Sequence, residues 1–239
     1  MEKLIVSDAE LRIADNSEAV VVIRPEKDCS VKLDIGKGSS VTCYTINKRN
    51  VKIEQTNKLG ARSTLYAYSL WLSGSGKMTS SLDGAGASAH EVAVFIGKDN
   101  DRLSLDTELR HNAPDTSGDI LVKGVVKDKA RADLGGMIKV EKRGGGAESF
   151  LSEHAILLDP GARATADPKL EIGNNDVMSR HSASVSQIND AKIFYLMTRG
   201  LTRDDAKALI VSGFLESAIS RIEDEGFRKE FIDTTAKNL

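Results

Sequence analysis

Residues 170–214 read LEIGNNDVMSRHSASVSQINDAKIFYLMTRGLTRDDAKALIVSGF, and the period of their apolar residues changes near Ile188. After that point the spacing is helical. Asp190 can cap a helix that carries Ile193, Phe194 and Met197 on one stripe and stops at Gly200, which supplies a left-handed C-cap. Thr202 opens a second helix. Its hydroxyl can accept from the amide near Asp205, and Asp204 and Asp205 suit the positive end of the helix. Ala206, Leu209, Ile210, Gly213, Phe214, Ile219 and Ile222 form its expected apolar face. A last amphipathic stretch at 227–235 predicts a short third helix. Helices this few and short cannot hold their own core. They must pack on the rest of the chain, the favoured expectation, or on another protein.

Before Ile188 the texture is that of strands. Short alternating or β-branched runs recur at 19–23, 31–35, 41–46, 51–54, 64–72, 92–96, 103–109, 120–126 and 137–140, with Gly, Asp, Asn and Ser between them. Several alternate with period 2, as in Lys32-Leu33-Asp34-Ile35, which buries one face and wets the other. No long amphipathic helix interrupts them. Many short strands without helices fit a sandwich, a barrel or a β-solenoid. No strict repeat is visible, and a degenerate solenoid tolerates that.

Composition narrows the function classes. The 239 residues suffice for one large domain with an appendage or for two small domains. A net charge of −2 provides no basic field for nucleic acid or an anionic membrane. Aromatics at 5% argue against a stacking platform for single strands or sugars. No apolar run is long enough to span a bilayer, and the charges scattered through residues 1–12 do not read as a signal peptide. Cys29 and Cys43 cannot make a disulfide framework, so a cytoplasmic setting is expected.

The stretch quoted above resembles the SufB/SufD family of iron–sulfur cluster assembly scaffold proteins. The resemblance is carried by Leu170-Glu171-Ile172, His181 with Ala183, Gln187-Ile188, Phe194-Tyr195, Arg199-Gly200, Ala206 and Gly213-Phe214. Upstream it continues in HNAPDTS at 111–117, Lys123-Gly124-Val125 and Ala130-Arg131-Ala132. It is good over 111–214 and weaker before. It implies a mainly β fold: a right-handed parallel β-helix (β-solenoid) over 1–188 and a small helical, ATPase-docking domain over 189–239. The chain opens on strands, so the resemblance points to a compact member without the N-terminal helical domain of larger ones.

The resemblance also implies partners and cargo. The partners are a SufC-like ABC ATPase on the C-terminal helices and a second β-helix subunit, as a homodimer or a SufB-like heterodimer. An iron–sulfur cluster would assemble transiently at the subunit interface. ATP-driven dimerisation of the ATPase would strain the pairing of the β-helices. No enzymatic activity of the chain itself is expected.

Three residues are candidate metal ligands. His181 matches the family's interface histidine, and neutral imidazole is a competent iron ligand. The alternative is a hydrogen-bonded surface or interface histidine. Glu153 falls, without gaps, where SufB-type chains carry a cluster-building cysteine; a carboxylate is a harder and weaker ligand for a cluster. Its alternative is a solvated loop residue, and a slip by one would exchange it with His154. Glu171 can reach a shared interface site or be an ordinary strand-surface carboxylate. SufB-type chains have glutamates where Arg180 and Ser182 stand, which leans this chain toward SufD-like behaviour.

Phe194, Tyr195 and Arg199 are the candidate ATPase contacts, with Phe194 also suited to the core. Cys29 and Cys43 read as small buried hydrophobes. His111 and Pro114 shape a turn, and Gly144-Gly145-Gly146 is a flexible loop lacking the Gly-Lys-Ser/Thr ending of a P-loop. Two further functions compete: a metal-free structural solenoid adaptor, and a polysaccharide-active β-helix enzyme. The enzyme would call for a signal peptide and aromatic subsites, which the sequence does not display.

Overall fold

A computed structural model describes residues 2–239. Met1, the first residue of the expected β-helix span, lies outside the described residues. The first strands are β1 (Glu2–Val6), β2 (Ala9–Ile13), β3 (Glu18–Ile23), β4 (Cys29–Ile35) and β5 (Ser40–Asn47). Next come β6 (Lys52–Leu59), β7 (Thr64–Trp71), β8 (Gly74–Leu82), β9 (Ser88–Gly97) and β10 (Arg102–His111). The last are β11 (Ser117–Val126), β12 (Arg131–Val140), β13 (Ala147–Leu157), β14 (Arg163–Ile172) and β15 (Val177–Gln187). Three helices follow: α1 (Asp190–Thr198), α2 (Arg203–Ile219) and α3 (Glu225–Asn238). None is long and apolar enough to cross a membrane.

The odd strands form an 8-stranded sheet in the order β1-β3-β5-β7-β9-β11-β13-β15, and the even strands form a 7-stranded sheet from β2 to β14. Each strand pairs in parallel with the strand two positions on in sequence. The chain therefore winds between two facing sheets as a parallel β-helix. One column of corners repeats down the stack. Asn16, Gly38, Arg62, Gly86, Asp115 and Gly146 all have positive φ. Each amide in this column donates to a carbonyl of the next coil, as in Asn16 to Lys37, Arg62 to Ala85 and Asp115 to Gly145. The intervals between these corners are uneven, which is why no repeat is visible in the sequence.

Inward residues from both sheets fill the lumen. Val31, Leu33, Leu65, Phe95, Leu103 and Leu151 are each at most 1% exposed. A second apolar cluster lies outside, where α2 and α3 cover Tyr44, Tyr68, Val92, Val94 and Leu121 on the 8-stranded sheet. Short helices are marginal alone, and each fully buried Leu, Ile or Phe contributes on the order of 1.5–3 kcal/mol, so this docking holds them. Packing against the β part is the favoured expectation realised.

Several expectations need correction. The cap of α1 is Asn189, whose side chain accepts from the Lys192 amide, rather than Asp190. Thr202 caps α2 as expected. The buried face of α2 is Ala206, Val211, Leu215, Ala218 and Ile219, while Leu209 is 54% exposed. Strands β1, β2, β8, β13, β14 and β15 escaped the apolar reading. Those of the last coil are polar because no further coil covers them, and β8 places Gly76 and Ser80 inside.

Part of the lumen is polar. Gln55 donates to the Cys43 sulfur (3.5 Å) and to Asn57 (3.0 Å), Asn57 donates to Ser80 (2.9 Å), and Ser80 donates to Glu91 (2.5 Å). Burial pushes the Cys43 thiol up to about 12 and the Glu91 carboxyl up to about 7. Below pH 4.5, the ordinary value, Glu91 is protonated in both the folded and the unfolded chain. Between that pH and about 7 only the unfolded chain releases the proton, so stability falls as pH rises; above about 7 the loss is complete. The expected outcome is that Glu91→Gln stabilises the fold by about 3 kcal/mol at pH 8 and gains little at pH 4. Urea denaturation at the two pH values checks it.

Candidate functional site

The β-helix is open at β14 and β15, as it is at β1 and β2 at the opposite end. β14 closes the 7-stranded sheet and β15 the 8-stranded one, and each has one edge without a neighbouring strand. In the last coil even inward-facing positions meet solvent. Ile172, Met178 and Val185 are exposed large apolar residues, and Phe150 and Leu170 join them one coil away or beside them.

His181 stands on β15 in register with Leu151 of β13. That column runs inward through Ile120, Glu91, Ala67 and Cys43. His181 thus occupies a lumen-facing position of the terminal coil, and it is exposed because no coil follows.

Glu153 is in register with Ala183, two residues along β15 from His181. It is 0% exposed and lies on a strand, not in a solvated loop. Gly136 makes room for it across the lumen: a Cβ there would sit 2.7 Å from Glu153 Oε1. Neither carboxylate oxygen has a well-formed hydrogen bond. Burial, then the charge of Asp167, pushes Glu153 up to about 7, tempered by the Asp167 backbone. His154 points the opposite way, with Nδ1 2.7 Å from Ser184 Oγ on the outer face. The two neighbours are therefore not interchangeable.

Glu171 lies on the outer face of β14, where Lys139 Nζ is 2.9 Å away. The structure brings His181 and Glu153 toward one end of the lumen and keeps Glu171 outside it. Arg180 also faces outward, with its guanidinium 5.7 Å from the Phe150 ring centre. Among the described residues no three His, Cys, Asp or Glu side chains converge as a metal cluster would need.

The α1 residues form a second candidate surface. Only Ile193 of α1 is buried. Phe194 is 68% exposed and Tyr195 57%, so Phe194 is not a core residue as the stripe suggested. Arg199 lies over the Tyr195 ring at 5.3 Å and donates to its hydroxyl at 3.3 Å. Gly200, at φ 94°, turns the chain from α1 toward α2.

Other sequence candidates are structural. Cys29 and Cys43 are buried free thiols. His111 ends β10 inside the fold, with Nδ1 2.8 Å from Thr116 Oγ1, and burial pushes it down to about 4. Pro114 sits in the following turn, where its carbonyl accepts from Gly86. The sequence reading missed the exposed apolar set of the last coil; the signal was Ile172, Met178 and Val185 standing in otherwise polar runs.

Comparison with known proteins places these features in context. A family model described as "SUF system FeS cluster assembly, SufBD core domain" matches residues 7–214. The iron–sulfur cluster assembly protein SufD of Bacillus subtilis is 29% identical over 161 residues, covering 67% of this chain and 37% of the relative. An iron–sulfur cluster assembly SufBD family protein of Mycobacterium bovis is 32% identical over 158 residues, covering 66% of this chain and 18% of the relative. SufD of Escherichia coli is 27% identical over 184 residues, covering 76% and 44%. The chain spans less than half the length of these relatives.

The cradle around Glu153 makes a measurable demand. Gly136→Ala is expected to cost about 1–3 kcal/mol in urea denaturation by driving Glu153 and Leu151 aside. Gly135→Ala, whose added methyl meets only the movable Asp106 carboxylate, is expected to cost less.

Proposed function

The chain belongs to the SufB/SufD core family of the SUF system, and on that premise we propose that it is a scaffold subunit for iron–sulfur cluster assembly that works through its open β-helix end. The observation that carries this reading is the terminal coil. It combines two unpaired strand edges, an apolar surround of Ile172, Met178 and Val185, and an exposed His181. Unpaired edges beside exposed apolar residues favour addition of another chain. A second β-helix subunit, in a homodimer or a SufB-like heterodimer, is the natural occupant, and two-fold pairing would bring two such ends together.

Iron or a nascent cluster is the cargo of this interface. His181 offers an imidazole to it. Glu153 lies one coil deeper beneath the small Ala183 side chain. It can approach only as a carboxylate released from its proton, near neutral pH. A single chain supplies too few ligands for a cluster, so the remaining ones come from the partner. Glu171, tied to Lys139 on the outer face, is the weakest of the candidate ligands and joins only if that ion pair opens.

The second surface, Phe194 and Tyr195 with Arg199 over the tyrosine ring, suits a SufC-like ABC ATPase. Aromatic and Arg side chains anchor interfaces, and this helix leaves both rings bare. Closure of two ATPase subunits would pull on α1 and strain the paired ends. In this reading the chain acts in the cytoplasm and is not itself an enzyme.

Anaerobic reconstitution with iron and sulfide, alone and with the ATPase, tests the first part. The expected result is a cluster absorption band in the assembled complex that His181→Ala abolishes. No band in either form, with ATPase binding intact, would leave the chain an accessory or a metal-free structural subunit. For the second part, Phe194→Ala and Tyr195→Ala are each expected to weaken ATPase capture by about tenfold or more without altering the melting temperature. Unchanged capture by both variants would remove α1 from the interface.

A further inference from the structure

Away from the open end, one cavity is lined by aromatic and acidic groups together. It lies where the outer face of the 8-stranded sheet meets the α2–α3 connection and has a volume of about 300 Å³. Thr42, Tyr44, Tyr66 and Tyr68 contribute its floor, and Glu18, Glu223 and Asp224 its rim.

The floor follows from register. Thr42, Tyr66, His90 and Asp119 stand in one outward column across β5, β7, β9 and β11. One face of Tyr66 stacks on the His90 ring, centres 5.3 Å apart. His90 Nδ1 is held 2.5 Å from Asp119, which in turn accepts from Arg221 at 2.5 Å. The other face of Tyr66 looks along the column toward Thr42, whose side chain is too short to cover a ring. The neighbouring rings are fixed. Tyr44 is stacked between Tyr68 at 5.5 Å and Phe227 at 3.8 Å, and the Tyr68 hydroxyl donates to the Arg221 carbonyl at 2.8 Å.

Among the described residues the rim is acidic without a counter-charge. Glu18, Glu223 and Asp224 are exposed. Asp224 accepts from the Phe227 amide, and none of the three forms an ion pair among the described residues. Three described cations nearby are committed elsewhere: Arg24 and Lys48 to Glu230, and Arg221 to Asp119. Among the described residues, no basic residue lines the cavity. Carboxylates around a preformed pocket with a bare aromatic face repel anions and attract a cation that carries aliphatic carbon.

We propose that this cavity binds an alkylammonium group, with the ammonium among Glu18, Glu223 and Asp224 and the aliphatic carbons on the open face of Tyr66. A free aliphatic amine and a lysine side chain present the same chemistry. This site is independent of the cluster-assembly reading.

Calorimetric titration of the full chain at low salt tests it with three probes: cadaverine, an acetylated and amidated Gly-Lys-Gly tripeptide, and 1,5-pentanediol. Saturable binding of at least one amine and none of the diol is expected, weakening as salt is raised. Tyr66→Leu and Glu223→Gln are each expected to weaken it by about fivefold to tenfold. Binding of cadaverine alone assigns the site to free amines, and binding of the tripeptide assigns it to a lysine side chain. Glu223 is exposed and forms no ion pair among the described residues, so its variant keeps the test valid if Tyr66→Leu does not fold. The proposal is overturned if neither amine saturates by about 10 mM, if the diol binds equally well, or if a folded Glu223→Gln protein binds unchanged.

Discussion

Everything in this molecule depends on the hydrogen-bond ladder that each coil makes with the next. A parallel strand is satisfied only when a neighbour lies on both sides. Inside the stack this condition holds at every coil, and the left-handed corners hand one coil to the next through their amides. At β14 and β15 the condition fails on one side. The same holds at β1 and β2, but the β14–β15 end gathers more of the exposed large apolar residues of the solenoid, and His181 stands on it. The chemistry and the pairing proposed for that end have one origin.

The second organising element is the layer outside the 8-stranded sheet. A solenoid's outer face is ordinarily wet, yet here Tyr44, Tyr68, Val92 and Leu121 are buried beneath α2 and α3. Polar ties reinforce the layer: Tyr68 to the Arg221 carbonyl, Lys123 to Ser217, and Arg24 to Glu230. The helical segment is thus welded to the middle coils, with α1 left free at its margin.

Strand texture, the two helix starts near Thr202 and Asn189, and the burial of both cysteines were legible because each rests on local rules: alternation, capping and small apolar volume. The solenoid architecture was legible only through resemblance, since the uneven coil lengths hide the repeat. The polar last coil was missing from the apolar strand runs for a physical reason: alternation reports burial on one face, and the end coil buries neither face well. Glu153 looked like a solvated carboxylate because nothing local announces that Gly136, across the lumen, leaves it a berth. The bareness of Phe194 was equally unreadable, since a helical stripe does not say which elements lie opposite it.

The weld between α3 and the early coils has a consequence for biogenesis. A chain is made from its N-terminus, and parallel coils can stack in the order in which they emerge. Their outer face cannot be closed in that order. The partners of Tyr44 and Arg24 are Phe227 and Glu230, and both arrive only with α3. Until α3 is made, a nascent chain presents a bare aromatic stripe, Tyr44 beside Tyr68, on the coils already stacked. That stripe is a surface on which a holding chaperone can act, and its disappearance marks completion of the fold.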